Sequence, residues 1–169
     1  MQRVLVIGSP GSGKSTLATE LARRTGLPLI HLDQQYWRPG WVETPADEWD
    51  RRLAEIVAGD RWIIDGNYSG SLERRLDRAD TVIDIRLPAW RCVWRILKRV
   101  ASSRGRVRAD MAEGCPEQLN LEFLVYTATF PRHARKRTDV RLARYTGRHI
   151  VLRSPREVRS FLASFDRRG

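Results

Sequence analysis

Apolar and polar residues alternate along the chain in blocks that predict strands followed by helices. Five short, mainly apolar runs are typical of strands buried in a parallel sheet, and they occupy residues 4–7, 29–32, 61–65, 81–86 and 148–152. Segments with helical periodicity separate them, and we expect helices over residues 16–23, 45–58, 71–78, 88–102, 117–126, 140–145 and 155–165. Strands that alternate with helices predict a three-layer α/β fold around a parallel sheet.

Two of the predicted helices carry strong start signals. Thr44 is predicted as the N-cap of a helix with Pro45 in its first position, and Ser154 with Glu157 forms a predicted capping box. The helix over 88–102 is predicted to bury one apolar side, made of Trp90, Val93, Trp94, Leu97 and Val100. The stretch 103–116 is expected to be a loop, and the helix after it to continue or restart around Pro131.

Residues 8–15 read Gly-Ser-Pro-Gly-Ser-Gly-Lys-Ser, a complete phosphate-binding motif. The motif lies between the first strand and the first helix, so backbone N–H groups and the positive end of the helix would surround an anion. Lys14 is expected to reach the β- and γ-phosphates of a nucleoside triphosphate, and the Ser15 hydroxyl to bind Mg²⁺. The residues that we assign to nucleotide binding are Gly8, Ser9, Pro10, Gly11, Ser12, Gly13, Lys14, Ser15 and Thr16.

The composition narrows the class of protein. With 169 residues, of which 41% are hydrophobic and 30% charged, the chain fits one globular domain over 1–169. We expect neither a signal peptide nor a membrane span. The two cysteines, Cys92 and Cys115, form no C-x-x-C pair and predict neither a disulfide framework nor a zinc site. A cytoplasmic monomer is the expectation.

The net charge of +11 suits a polyanionic ligand such as a nucleotide, and it suits nucleic acid as well. Residues 86–108 contain many basic residues and no acidic ones. A nucleic-acid-binding protein that uses ATP as a switch is therefore the alternative class, although the sequence contains no recognition motif for DNA or RNA.

Two aspartates lie where predicted strands end. Asp33 follows the second strand and Asp65 ends the third. The carboxyl ends of parallel strands meet at the edge of the sheet where α/β proteins bind ligands, and the phosphate-binding motif lies at the same edge. The sequence therefore predicts one site assembled from three strand ends.

The order of elements and these motifs resemble the adenylate-kinase-like branch of P-loop kinases. Over nearly the whole chain, similarity extends to bacterial topology modulation proteins through His-Leu-Asp at 31–33, Trp-Arg-Pro-Gly-Trp at 37–41, Trp-Ile-Ile-Asp-Gly-Asn-Tyr at 62–68 and the segment 110–116. The resemblance implies a P-loop NTPase fold with strand order 2-3-1-4-5, a helical lid insertion at about 103–116 and an acceptor-binding region at 34–60. It also implies ATP and Mg²⁺ as cofactors.

The resemblance gives roles to both aspartates. Asp65 is similar to the aspartate of the adenylate kinase Asp-Gly-Phe-Pro-Arg segment, which orders water around Mg²⁺, although the Pro-Arg pair is absent here. Asp33 matches the acid that accepts the proton of the attacking hydroxyl in small-molecule P-loop kinases. Substrate orientation, Mg²⁺ binding and helix capping remain alternatives for Asp33, and capping remains one for Asp65.

The resemblance also implies which residues bind the acceptor and which stabilise the transition state. We assign acceptor binding to Asp33, Trp37, Arg38, Trp41, Asn67 and Tyr68. By the same resemblance Arg95 and Arg99 match the arginine that precedes the lid and stabilises the transferred phosphoryl group. Further candidates from the lid onward are Arg104, Arg106, Arg108, Arg132, Arg135 and Arg137. The nucleotide base is expected near residues 153–156, and His31, His133 and His149 are expected to be structural.

The sequence thus predicts an ATP- and Mg²⁺-dependent kinase for a small acceptor, with a nucleoside or nucleotide favoured. A hydroxyl acceptor requires Asp33 as the base. A monophosphate acceptor, as in the nucleoside monophosphate kinases, requires Arg38 to grip the phosphate instead.

Overall fold

The computed structural model describes residues 1–103 and 105–166. Its central parallel sheet consists of β1 (Arg3–Gly8), β2 (Leu29–His31), β5 (Trp62–Asp65), β6 (Thr81–Ile85) and β7 (Arg148–Leu152). These strands lie in the order β2-β5-β1-β6-β7. A separate antiparallel hairpin pairs β3 (Trp37–Arg38) with β4 (Val42–Glu43). Counted within the parallel sheet alone, the order is the predicted 2-3-1-4-5.

The helices connect these strands and cover the sheet. They are α1 (Lys14–Thr25), α2 (Leu32–Tyr36), α3 (Ala46–Ala58), α4 (Leu72–Arg78), α5 (Ala89–Ser103), α6 (Leu121–Thr129), α7 (Ala134–Leu142) and α8 (Pro155–Asp166). Between residues 105 and 120 the chain forms turns and extended segments, so the predicted lid is a turn-rich connection between two helices rather than a helix itself. Within residues 1–103 and 105–166, no helix has the length and apolar character needed to cross a membrane.

Side chains along each strand point alternately to the two faces of the sheet, where they join two separate hydrophobic core clusters. In β1, Val4 and Val6 face the cluster that includes α1 and α8, whereas Leu5 and Ile7 face the cluster that includes α3 and α4. Successive side chains of a strand point to opposite faces, and both faces of this sheet are covered. This is why the strands read as continuous apolar runs in the sequence. The carboxyl ends of the strands are left as the open edge of the sheet.

The buried side of α5 differs from the prediction. Trp90 and Trp94 are 66% and 62% exposed, and the residues that α5 buries are Cys92, Ile96 and Val100. The cause is the close approach of α5 to the phosphate-binding motif. A Cβ added to Gly11 would lie 2.5 Å from the Cys92 carbonyl oxygen. The same Cβ would lie 3.0 Å from Ile96 Cγ1, so the side of α5 that carries Cys92 and Ile96 packs against the motif and the tryptophan side is left exposed.

Three other predicted boundaries are wrong. Helix α6 begins at Leu121 rather than 117, because Asn120 is its N-cap and accepts a hydrogen bond from the Phe123 N–H at 3.0 Å. The helix predicted to restart around Pro131 is α7, which begins at Ala134 and runs to Leu142, and the separate helix predicted over 140–145 is not formed. Thr44 does not cap α3, since its hydroxyl donates to the Tyr36 carbonyl and Pro45 occupies the N-cap. The capping box at Ser154 is confirmed, because its hydroxyl accepts the Glu157 N–H at 3.1 Å.

Candidate active site

A cleft of about 2000 Å³ runs along the carboxyl edge of the sheet. One part of its wall is the phosphate loop, which we define as residues 8–15. Gly8, Gly11 and Gly13 have φ angles of 143°, 72° and 94°, a region that favours glycine. At Gly8 an added Cβ would lie 2.4 Å from the Ile85 carbonyl oxygen, so a side chain is excluded there. These glycines turn the backbone N–H groups toward the start of α1, as an anion site requires.

The phosphate loop is held from behind by Asn67. The Asn67 amide accepts a hydrogen bond from the Gly8 N–H at 3.2 Å and donates to the Gly8 carbonyl at 2.7 Å. Asn67 therefore fixes the residue at which β1 becomes the loop. Its position on the cleft wall agrees with the prediction that it lies at the site, while its contacts are with the loop.

Two polar groups of the phosphate loop that line the cleft have little or no hydrogen bonding to protein. The Lys14 ammonium donates only a long hydrogen bond of 3.3 Å to the Ser9 carbonyl. The Ser12 hydroxyl is buried without a hydrogen bond among the described residues. Buried polar groups normally have partners, so unsatisfied groups beside a cleft point to a ligand. The loop fits a nucleotide phosphate in both shape and unsatisfied hydrogen-bonding groups.

Asp65 lies opposite the phosphate loop at the end of β5. Its Oδ2 is 3.0 Å from the His31 Nδ1, and its Oδ1 is buried without a partner among the described residues. The unpaired oxygen fits a magnesium site shared with Ser15 and phosphate oxygens, because Mg²⁺ is usually held by few protein ligands. Within the described part of the chain, no group of three His, Cys, Asp or Glu side chains could hold a metal alone. His31, which we expected to be structural, thus contacts a predicted metal ligand.

Asp33 lies in the first turn of α2 and lines the same cleft as the phosphate loop. Burial raises the pKa of the Asp33 carboxyl, while hydrogen bonding by Tyr68 and the charge of Lys14 partly oppose that rise. The Tyr68 hydroxyl donates to Asp33 Oδ1 at 2.7 Å. Burial and the Asp33 charge raise the pKa of Tyr68, so this hydroxyl keeps its proton. The Tyr68 hydrogen bond thus engages one of the two carboxylate oxygens of Asp33.

The segment from Gly66 to Tyr68 is positioned by a buried arginine that the sequence analysis missed. Arg75 on α4 is 0% exposed. Its guanidinium donates to the carbonyls of Gly66 at 2.9 Å and Tyr68 at 2.8 Å, and also to that of Asn67. Burial lowers the pKa of Arg75 to about 9, so the group is still charged at neutral pH. No sequence signal distinguishes it from the many exposed arginines.

Aromatic side chains form the wall beyond Asp33. The Tyr36 ring lies 5.2 Å from Trp37, 5.1 Å from Trp49 and 4.8 Å from Tyr68, between centroids. Trp37 and Trp41 are in edge contact at 5.5 Å. Trp37 and Trp41 both line the cleft, and Trp49 is buried in the core.

The segment 105–117, the described part of the predicted lid together with Glu117, lies against the β3–β4 hairpin. The Gly40 N–H donates to the Gly114 carbonyl at 2.9 Å, and the Cys115 thiol donates to the Arg38 carbonyl at 3.3 Å. Met111 and Cys115 are buried in a small cluster against the two hairpin tryptophans. These contacts bring the segment over the aromatic wall, where it closes one side of the cleft.

The candidate arginines divide into those on the cleft and those outside it. Arg95 lines the cleft and donates to the Ser12 carbonyl at 3.0 Å. Arg99 and Arg108 also line it, and both bind the buried Glu117, with N–O distances of 2.9 Å each. Burial, followed by the charge of Arg108, lowers the pKa of Arg99. Glu117 therefore ties the segment 105–117 to α5.

The structure separates the remaining predicted residues. Arg38 forms an ion pair with Glu48 and does not line the cleft. Of the other candidate arginines that the structure describes, those that do not line the cleft are Arg106, Arg132, Arg135 and Arg137. Arg104 lies outside the described residues. Of the segment predicted for the nucleotide base, Pro155 lines the cleft.

Comparisons with known proteins agree with this geometry. A sequence model of the family described as ATPase family associated with various cellular activities (AAA) matches residues 4–76, which include the phosphate loop and Asp65. No curated protein matches the chain. The narrower resemblance to topology modulation proteins stays a prediction.

Solved structures of kinases share the fold over the whole chain. Shikimate kinase from Bacteroides thetaiotaomicron is 14% identical, with a TM-score of 0.56 over 98% of this chain and 96% of that one. A gluconokinase from Sinorhizobium meliloti 1021 is 16% identical, with a TM-score of 0.55 over 98% of this chain and 92% of that one. The chain therefore has the α/β fold of these P-loop kinases, with its five-stranded parallel sheet.

Proposed function

We propose that this protein is an ATP- and Mg²⁺-dependent kinase that transfers the γ-phosphoryl group to a hydroxyl of a small acceptor. The observation that carries the proposal is the shared cleft, whose lining includes both the phosphate loop and Asp33, a partly buried carboxyl group with a raised pKa. A general base works best when its pKa approaches the working pH, and burial moves Asp33 in that direction. Solved kinases with the same fold support the reaction class.

In this proposal each residue has a defined task. The backbone of the phosphate loop, Thr16 and Lys14 bind the nucleotide phosphates, and Arg95 lies beside the loop where negative charge spreads during transfer. Ser15 and Asp65 would hold Mg²⁺, which neutralises phosphate charge when bound. The segment 105–117 shields the acceptor region from water, as lids do in such enzymes.

In this proposal Asp33 accepts the proton that the acceptor hydroxyl loses. The acceptor oxygen forms a bond to the γ-phosphorus, the bond from that phosphorus to the β,γ-bridging oxygen breaks, and ADP leaves with the electron pair. The acceptor proton moves to Asp33 Oδ2. Since Tyr68 already donates to Oδ1, we assign the proton to the other oxygen, Oδ2.

The ion pair of Arg38 makes a nucleoside monophosphate kinase the weaker alternative. Arg38 is the residue that this alternative needs for the acceptor phosphate, and Glu48 already binds it. Arg38 does not line the cleft, so it would have to leave Glu48 and change position to bind a phosphate there.

The proposal is tested by measuring phosphoryl transfer from Mg-ATP and the mass of the product across an acceptor panel. The panel holds nucleosides, nucleoside monophosphates, sugars and an oligonucleotide with a 5′-hydroxyl, and the Lys14→Ala variant sets the background. We expect transfer to a hydroxyl. If no acceptor raises turnover above the background, the kinase proposal is wrong.

Changing Tyr68 to phenylalanine is expected to shift the pH dependence of the reaction. The Tyr68 hydrogen bond lowers the pKa of Asp33, so its loss raises that pKa further and moves the acidic limb of the kcat/KM profile to higher pH. The matched control is Tyr145→Phe, which removes a hydroxyl bonded to the Ala79 carbonyl away from the cleft. An acidic limb that stays in place in Tyr68→Phe would show that Asp33 does not set it.

A further inference from the structure

We infer that the acceptor carries no anionic group, and that the site selects neutral or cationic hydroxyl compounds such as sugars, amino sugars or nucleosides over their phosphate and carboxylate counterparts. This inference rests on the proposed kinase function and names the class of its acceptor. It is carried by the charge and the aromatic content of the cleft wall around Asp33.

Carboxylates dominate the charges of this wall. Glu43, Asp50 and Asp110 line the cleft together with Asp33, on a protein whose net charge is +11. Among the residues the structure describes, Glu43 forms no ion pair. Burial raises the pKa of the Tyr36 hydroxyl, and so do a hydrogen bond to Glu43 and the Glu43 charge. The basic excess of the protein therefore lies elsewhere, and the acceptor side of the cleft is acidic.

The arginines on this wall are already occupied by carboxylates. Arg74 binds Asp50 at 3.0 Å. Arg108 binds Asp110 at 3.1 Å and Glu117 at 2.9 Å. A site for phosphate or carboxylate normally presents an arginine fork whose charge faces the ligand alone, whereas here each arginine is already paired with a carboxylate. An anionic acceptor that contacts Arg74 or Arg108 would therefore also lie close to Asp50 or Asp110.

The remaining surface suits an uncharged ring or a cation. Trp37 and Trp41 present indole surface to the cleft, and the Trp41 Nε1–H is buried with no hydrogen-bond partner among the described residues. Trp41 also keeps a φ of 63°, which is unusual for a bulky residue. An unpaired donor beside an aromatic face suits a hydroxyl oxygen on an apolar ring, and aromatic faces with carboxylates nearby also attract ammonium groups.

The inference is tested with matched acceptor pairs in the same transfer assay. Each pair differs by one anionic group: glucose and gluconate, ribose and ribose 5-phosphate, adenosine and AMP, with glucosamine as the cationic partner of glucose. For each pair that is phosphorylated, we expect kcat/KM to be at least about a hundredfold lower for the anionic member, because like charges placed together in a binding site are strongly unfavourable.

A charge-reversal variant tests whether the acidic wall causes the preference for acceptors without an anionic group. Glu43→Lys is expected to improve the anionic member relative to its neutral partner by about tenfold, since it replaces a repulsive charge by an attractive one. The matched control is Glu55→Lys on the exposed side of α3, which makes the same change in net charge outside the cleft lining and should leave the ratio unchanged.

The possible outcomes distinguish failure of the acceptor inference from failure of the kinase function. Equal or faster transfer to the anionic member overturns the inference and leaves the kinase function intact. Transfer to no acceptor of the whole panel above the Lys14→Ala background overturns the kinase function and the inference with it. A neutral preference that responds to Glu43→Lys and not to Glu55→Lys supports both.

Discussion

Replacing Asp33 by asparagine is expected to lower kcat for phosphoryl transfer by about 10²- to 10⁴-fold, the range that general base catalysis contributes. Asparagine has the same shape and can still accept the Tyr68 hydrogen bond, but it cannot take a proton from the acceptor. KM for the acceptor should change much less than kcat, because the loss falls on the transition state. Steady-state kinetics with the acceptor found in the panel measures both.

The same variant is expected to be more stable than the wild type at neutral pH. A carboxyl group whose folded-state pKa is raised contributes stability at pH values below its unfolded pKa, and that contribution is lost as the pH rises through the folded pKa. Since burial raises the pKa of Asp33, its ionised form destabilises the fold at neutral pH, and Asp33→Asn removes that cost. The gain should shrink in acid.

Thermal unfolding of Asp33→Asn between acidic and neutral pH checks this prediction, with Asp60→Asn, an exposed position after α3, as the control. A more stable and inactive variant is the pattern expected for a catalytic group held in an unfavourable environment. Wild-type turnover in Asp33→Asn would exclude the base role, and a loss of stability would mean that burial does not dominate the energetics of this carboxyl group.

The sheet and the phosphate loop were predictable because their causes are local. Buried parallel strands are apolar on both faces, and the glycines of the loop stand where φ is positive or where a Cβ would touch the Ile85 carbonyl. Asp33 and Asp65 could be placed at one site because parallel strands align their carboxyl ends. The start of α2 directly after β2 and the β3–β4 hairpin were missed, but neither moves Asp33 from the cleft.

The buried side of α5 and the role of Arg75 depend on contacts between distant residues. Helix α5 has apolar residues on two sides, and the choice between Cys92 and Trp94 is made by the phosphate loop about eighty residues earlier in the chain. Arg75 looks like any other arginine until its helix packs beneath the segment that follows β5. Likewise, nothing local indicates that Glu48 engages Arg38 or that Glu117 binds Arg99.

Replacing Arg75 by methionine is expected to lower the free energy of unfolding by about 3–5 kcal/mol, because two buried carbonyls lose their donors at a cost of about 1–3 kcal/mol each and the packing is also disturbed. Those carbonyls belong to Gly66 and Asn67, whereas the Tyr68 carbonyl keeps the Ser71 N–H as a donor at 3.0 Å. Arg75→Lys keeps the charge but not the fork, so its loss should be smaller. Urea unfolding measures both variants.

Arg78→Met supplies the matched control, because Arg78 lies on the same helix and donates to the carbonyls of Val57 and Ala58, but from an exposed position. The free energy of unfolding of Arg78→Met should fall by no more than about 0.5–1 kcal/mol, since water can bond to the two carbonyls in place of the arginine. If Arg75→Met were no more destabilising than Arg78→Met, the carbonyls would not depend on Arg75. In folded Arg75→Lys, we also expect lower kcat and a displaced acidic limb, because the segment carrying Asn67 and Tyr68 loses its anchor while Asp33 itself is unchanged.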